Sequence, residues 1–162
     1  MPKSPYLLNE NRLADVVAAI QVMGTYKFYK LTFAGWSDRI YGDESKADYW
    51  KIIFLEHPEF FRLDEKKEKA SLVWRRQHPK RYNVDLEKLI TREEFIAMPN
   101  DDKARVSRLP LTAETIQSLI ATAIDMHSRA LQFEQDKRWL INLVISGVGG
   151  LLGAIIGGVL KK

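Results

Sequence analysis

Histidines, cysteines and short catalytic motifs are the usual carriers of chemistry, and this sequence offers few of them. It has no cysteine, which excludes disulfides, thiolate metal sites and cysteine nucleophiles. Its three histidines, His57, His78 and His127, are too scattered to predict a metal site. We expect the first two to be helix-end and loop residues, because each precedes a proline, and the third to face solvent. No phosphate-binding loop, zinc-protease motif or nucleophile elbow occurs, so we expect a non-enzymatic protein without a cofactor.

Positive charge is concentrated between Arg62 and Arg81, where eight basic residues stand against three acidic ones. The candidate contacts for an anionic partner are Lys66, Lys67, Lys69, Arg75, Arg76, Lys80 and Arg81. Clustered Lys and Arg supply sequence-independent affinity for the phosphates of nucleic acid. They also suit anionic lipid headgroups. A solvated face or a protein-docking surface is the third interpretation, and the sequence leaves all three open.

The helix predicted just before this segment is poorly suited to reading DNA sequence. Its basic residues, Lys46 and Lys51, are balanced by Asp48 and Glu56. It has no Arg, Asn or Gln, the side chains that make paired hydrogen bonds to base edges. Sequence-specific recognition of duplex DNA is therefore disfavoured.

Three helices and a hairpin are predicted around these residues. The first helix carries an apolar stripe and ends near Gly24, the second begins at the N-cap Thr32, and the third begins at Ser45 and stops before Pro58. Two strands, 60–63 and 71–75, flank a charged tip at 64–69. Alternation predicts an inward face for the hairpin, and three tryptophans are expected in the core. The predicted inward residues are Phe61, Leu63, Leu72 and Trp74, and the core tryptophans are Trp36, Trp50 and Trp74.

This order of elements resembles the winged-helix superfamily over about residues 8–76. The whole layout is similar to small bacterial membrane-tailed winged-helix proteins. The resemblance implies an architecture and carries over no site residues. The expected fold is α+β and mainly helical, with a winged-helix domain at 8–82 followed by a long helix that runs into a single C-terminal transmembrane helix.

Residues 83–111 are polar and punctuated by prolines, and we predict a linker there with a short helix after Thr91. A stalk helix at 112–139 should begin at the N-cap Thr112. Its apolar residues alternate three and four apart, which is typical of a coiled coil. The predicted self-association seam is Ile116, Leu119, Ala123, Met126, Ala130 and Phe133. An amphipathic helix packed on its own domain would give the same pattern and is the alternative.

Residues 140–160 contain no charged side chain and would rise about 31 Å as a helix, which is close to the thickness of the bilayer core. We predict a transmembrane helix, with a buried core helix as the alternative. Gly149, Gly153 and Gly157 lie four apart, a glycine zipper that lets membrane helices pack closely. Since the first ten residues have no signal-peptide pattern, we expect a tail-anchored protein with its N-terminal domain in the cytoplasm.

These observations favour a membrane-anchored adaptor or sensor, clustered as a homo-oligomer, whose head binds an unidentified protein partner. Clustering several weak binding faces would raise avidity without any new contact. Two alternatives remain: a membrane-tethered regulator that binds nucleic acid through the basic segment, and a pore-forming effector whose glycine-rich helix disrupts the membrane.

Overall fold

A computed structural model describes the backbone of residues 4–159, with the side chains of residues 4–139 and Ile141. The fold is α+β, with small sheets and a long C-terminal helix. The chain divides into two compact units, Met1–Ile124 and Asp125–Lys162.

The first unit opens with three helices whose ends are set by local chemistry. A 3-10 turn at Pro5–Leu7 precedes α1 (Arg12–Thr25), a short strand β1 (Lys30–Thr32) and α2 (Phe33–Tyr41). The predicted cap Thr32 is confirmed, since its hydroxyl accepts a hydrogen bond from the Gly35 N–H at 3.1 Å. Helix α3 spans Ala47–Glu56 and stops before His57, as predicted. Ser45 does not cap α3, because it lies within a 3-10 turn, Glu44–Lys46, that precedes the helix. Asp43 caps that turn.

The hairpin that follows consists of β2 (Phe61–Leu63) and β3 (Lys69–Leu72). Both pairings in this first sheet are antiparallel, and the strand order is β1-β3-β2. Phe61 pairs with Leu72, and both are buried. Below them, the buried indole of Trp36 donates a hydrogen bond to the Ala70 carbonyl at 2.8 Å, which fixes α2 on the inner face of the sheet.

The predicted core is correct for Trp36 and Trp50, which are 0% and 2% exposed, but wrong for Trp74, which is 43% exposed. We expected strand alternation to continue through Arg75. Instead β3 ends at Leu72, and Trp74–Gln77 form a 3-10 helix. Side chains rotate by about 120° per residue there, so the inward position passes from Trp74 to its neighbour.

A second three-stranded sheet occupies much of the region predicted as a linker. Its strands are β4 (Tyr82–Asn83), β5 (Lys88–Leu89) and β6 (Val106–Ser107), in the order β5-β4-β6. Between β5 and β6 lie α4 (Arg92–Ala97) and α5 (Asn100–Lys103). The helix predicted after Thr91 is therefore confirmed. Two-residue strands are too short to show a period, which is why the sequence pattern missed the sheet.

The last helix, α6, spans Ala113–Val159. Thr112 caps it as predicted, because its hydroxyl accepts a hydrogen bond from the Thr115 N–H. The first half of the predicted coiled-coil seam is corrected: Ile116, Leu119 and Ala123 are 8%, 3% and 0% exposed within the first unit. A Cβ on Gly24 would lie 3.0 Å from the side chain of Ile116, so this glycine lets α6 approach α1 closely.

The second half of that seam lies in the second unit. Met126 and Ala130 are half-buried, and Phe133 is 53% exposed. Apart from Ile141, the predicted membrane span, 140–160, lies outside the residues whose side chains are described, and so do its glycines Gly149, Gly153 and Gly157. In the described part of the chain, no helix has both the length and the apolar character needed to span a membrane.

Candidate functional site

A basic groove crosses the outer face of the first sheet. Its cavity has a volume of about 610 Å³. Six basic side chains and two acidic ones line it, so the groove carries a strong positive charge. The basic residues are Lys30, Arg62, Lys66, Lys67, Arg76 and Arg108, and the acidic residues are Asp64 and Glu65.

The floor of the groove follows from the strand register. Ser71 on the central strand pairs with Lys30 on one side and with Arg62 on the other. Directly paired residues share a face of the sheet, so these three side chains form one row. The core-facing residues Phe61 and Leu72 pair one position further along. A small hydroxyl therefore lies between two cations, on the face opposite the core.

A tight turn at residues 64–68 forms one rim. The Asp64 carboxylate accepts hydrogen bonds from the backbone N–H groups of Glu68 at 2.9 Å and Lys69 at 3.1 Å. Partial desolvation acts to raise the pKa of Asp64, but these N–H groups and the nearby lysines hold it below its ordinary value. Lys67 adopts a left-handed conformation, with φ at 55°. One of the two acids at the groove is thus committed to shaping the turn that presents Lys66 and Lys67.

Arg108 forms the opposite rim, held in place by the second sheet. It follows β6, and the Ser107 hydroxyl accepts a hydrogen bond from the Tyr29 N–H at 3.0 Å. The Arg108 guanidinium donates to the carbonyls of Arg76, at 2.8 Å, and His78, and it lies 5.0 Å from the centre of the Tyr29 ring. These contacts fix the Arg108 guanidinium over the face of the Tyr29 ring at this rim of the groove.

Arg75 is a correction to the predicted set of surface contacts, because it is fully buried. Its guanidinium donates to backbone carbonyls at the end of α1 and in the loop before β1, including Met23 at 3.0 Å, and to the carbonyl of Arg108. Carbonyls at a helix C-terminus carry partial negative charge, which favours a cation there. Burial lowers the pKa of Arg75 to about 10, so it stays charged at neutral pH. This residue joins α1 to the second sheet and is not available to a partner.

The remaining predicted contacts divide into two groups. Lys66, Lys67 and Arg76 line the groove, whereas Lys69, Lys80 and Arg81 are not among its lining residues. Three basic residues line the groove that were not among the predicted contacts: Lys30, Arg62 and Arg108. Arg62 belonged to the same charged segment and could have been included. Lys30 is placed by strand pairing and Arg108 by the unpredicted second sheet, so no local signal marked either one.

The outer face of α3 differs sharply from the groove. Ile52 and Leu55 are 48% and 51% exposed, and Asp48 is exposed beside them. Lys51 is half-buried, with its ammonium 5.6 Å from the Phe33 ring. The outer face of α3 is therefore apolar and acidic, in contrast to the basic groove.

His57 is the C-cap of α3, a helix-end residue as expected, and it also belongs to a buried cluster. It is 0% exposed, and its Nδ1 lies 3.0 Å from a carboxylate oxygen of Glu59. The Tyr6 hydroxyl donates to the same oxygen at 3.1 Å. Burial acts to raise the pKa of Glu59, but the hydrogen bonds and charge of His57 and the bond from Tyr6 bring it below its ordinary value. The cluster ties the N-terminal segment to the end of α3.

No protein-family model, curated protein or solved structure matches this chain.

Proposed function

We propose that this chain is a non-enzymatic, membrane-anchored adaptor or sensor whose winged-helix head binds an anionic partner in the basic groove. The observation that carries the proposal is the row Lys30–Ser71–Arg62, set by the strand register and surrounded by four further basic side chains. Of the two acids in the groove, Asp64 is occupied by its own turn. An excess of cations around one concave site favours a partner that carries several negative charges.

The element order supports the winged-helix assignment. It runs α1-β1-α2-α3-β2-β3, and the strand order β1-β3-β2 is antiparallel throughout. A three-helix domain closed by a β-hairpin is the arrangement that the winged-helix resemblance implies. The β2–β3 hairpin would be the wing, and its tip supplies Lys66 and Lys67 to the groove.

Membrane anchoring and self-association belong to the proposal. The uncharged segment 140–160 supports the anchor. Several large apolar side chains in the second unit are exposed, which supports contact with a second copy of the chain. These residues are Leu131, Phe133 and Trp139, at 42%, 53% and 63% exposure. Because Ile116, Leu119 and Ala123 are covered within the first unit, the seam would begin at Met126.

Full-length protein in mild detergent, titrated into a fluorescein-labelled heparin oligosaccharide, tests the proposal. Wild-type protein should bind at low salt and weaken steeply as salt rises. Combined Arg62→Glu and Lys67→Glu should weaken binding by at least about tenfold, because both lose a cation and add repulsion. The matched control combines Lys88→Glu and Arg92→Glu, which reverse two exposed charges outside the groove.

The control should change affinity by less than about twofold once salt screens the general effect of its lower net charge. Equal losses in the two double variants, or no binding of heparin by wild-type protein at low salt, would overturn the proposed function. Thermal unfolding of all variants, followed by tryptophan fluorescence, checks that the comparison is made between folded proteins.

A further inference from the structure

We propose that the occupant of the groove is a single strand of nucleic acid, with its phosphates along the Lys30–Ser71–Arg62 row and a base stacked at the Tyr29–Arg108 pair. This inference rests on the proposed function, because it names the partner of the same groove. Three features of the groove distinguish a single strand from other polyanions.

The first feature is the spread of the cations. Lys30 and Arg62 lie on the outer strands of a three-stranded sheet, and such strands are about 10 Å apart. Lys66 and Lys67 extend the charge to one rim, and Arg108 extends it to the other. A lone phosphate or carboxylate would reach only part of this set. A chain of phosphates can contact successive cations along its backbone, which is the usual arrangement for single-strand binding.

The second feature is the planar pair at the rim. The Arg108 guanidinium is held by two backbone carbonyls and lies 5.0 Å from the Tyr29 ring centre. Unpaired bases stack on aromatic rings and on arginine planes. Heparin and acidic peptides rich in aspartate or glutamate have no planar bases. The combination of cations with a stacking platform therefore favours a nucleic acid over other polyanions.

The third feature excludes a duplex and a lipid surface. A duplex keeps its bases paired and stacked on one another, so it offers no free base to the Tyr29–Arg108 pair. A flat bilayer surface could reach Lys66 and Lys67 on the turn. It could not reach the floor of the groove, where Ser71 is 2% exposed and Lys30 and Tyr29 are half-buried. A flexible single strand can enter such a recess.

The test measures binding of a fluorescein-labelled single-stranded oligothymidylate of twelve nucleotides to full-length protein in mild detergent. The heparin oligosaccharide, a duplex of equal length, poly-glutamate and vesicles containing an anionic phospholipid are compared as competitors. Tyr29→Leu removes the ring and should weaken oligothymidylate binding at least about fivefold, the lower end of the usual effect of losing one stacked base. Heparin binding should change less than about twofold.

Tyr29→Phe keeps the ring and is the matched control, so it should bind oligothymidylate like wild-type protein. Arg62→Gln should reduce the slope of log affinity against log salt by about 0.7, the contribution of one phosphate contact on a single strand. Arg92→Gln, outside the groove and exposed, should leave the slope unchanged.

The outcomes separate the two proposals. If heparin binds through the groove but oligothymidylate binds no more tightly and Tyr29→Leu affects neither, the single-strand inference is overturned and the proposed function stands. Preferential competition by the duplex, by poly-glutamate or by vesicles also overturns it, in favour of that ligand. If neither heparin nor oligothymidylate binds, both proposals fall together.

Discussion

Two parts of the first unit are held together by different forces. The helical region, α1 to α3 with the first sheet, is built on apolar burial: Trp36, Phe54, Phe61 and Leu72 are all 0% or 1% exposed. The second-sheet region, residues 82–107, buries fewer large apolar side chains, and Leu86 and Leu89 are 60% and 56% exposed. Its strands have two residues each.

Polar ties replace apolar burial where the second-sheet region meets the helical region. The Arg75 guanidinium donates a hydrogen bond to the carbonyl of Arg108, whose own guanidinium donates to the carbonyls of Arg76 and His78. The Ser107 hydroxyl accepts a hydrogen bond from the Tyr29 N–H. Each of these hydrogen bonds needs both of its partners. A buried polar group that loses its partner costs more free energy than forming the hydrogen bond contributes. The Arg108 rim of the groove is therefore positioned by directional contacts, whereas the floor rests on the apolar core of the helical region.

Arg75→Met should have the largest effect on this comparison. It leaves buried carbonyls of both regions without a donor, and we expect the free energy of unfolding to fall by about 3 kcal/mol. Hydrogen exchange of full-length protein should speed up most at Val106 and Tyr29. The matched control is Arg76→Met, an exposed neighbour, which should cost less than about 0.5 kcal/mol. Equal costs at the two positions would mean that the ties contribute little.

Acid should destabilise the helical region through Glu59. Because the pKa of this half-buried carboxyl is lowered on folding, its contribution is complete above the ordinary value of 4.5 and is lost as pH falls through the folded-state pKa. Glu59→Gln should reduce stability at pH 7 by about 1 kcal/mol and flatten the loss below pH 5 in thermal unfolding.

The matched acid in the second-sheet region is Asp85, whose pKa is also lowered, chiefly by its hydrogen bond from Arg105. Both partners of that pair are exposed, so solvent screens them. Asp85→Asn should therefore change the acid profile less than Glu59→Gln. A larger effect at Asp85 would contradict the contrast between a half-buried and an exposed carboxylate.

Thr91→Ala should have the smallest effect, confined to α4. Thr91 and Glu94 form a capping box, in which the Thr91 hydroxyl accepts the Glu94 N–H and the Glu94 carboxylate accepts the Thr91 N–H. Loss of the cap should cost about 1 kcal/mol locally and raise hydrogen exchange in Arg92–Ala97. Thr122→Ala, in an exposed helix interior, is the control and should be nearly neutral. Faster exchange at Leu72 in the T91A protein would show that α4 supports the core after all.

Features that depend on neighbours in sequence were predictable. Thr32 and Thr112 cap helices as expected, and a short helix follows Thr91 as predicted, because capping needs only a hydroxyl and the next turn. The prediction that Ser45 caps α3 was wrong. The charged tip predicted between the two strands carries Lys66 and Lys67, and both line the groove. Features that depend on tertiary contact were missed. Arg75 is buried because carbonyls at the end of α1 accept hydrogen bonds from its guanidinium. Lys30 is brought to the groove by strand pairing. The heptad pattern that begins at Ile116 is compatible with two packings, a coiled coil and a helix packed on its own domain, because both require the same spacing of apolar residues.

The hydrogen bond from the Leu111 N–H to the Gly24 carbonyl, at 2.9 Å, has a mechanical consequence. Leu111 stands three residues after Arg108 and two before α6, while Gly24 adjoins Met23, whose carbonyl Arg75 holds. A load applied along α6 would first meet the buried side chains of Ile116, Leu119 and Ala123 and then this bond. A small slip at the bond would pull on Arg108, which is three residues away. Force pulling on the long helix would thus loosen one rim of the groove while the first sheet kept its shape.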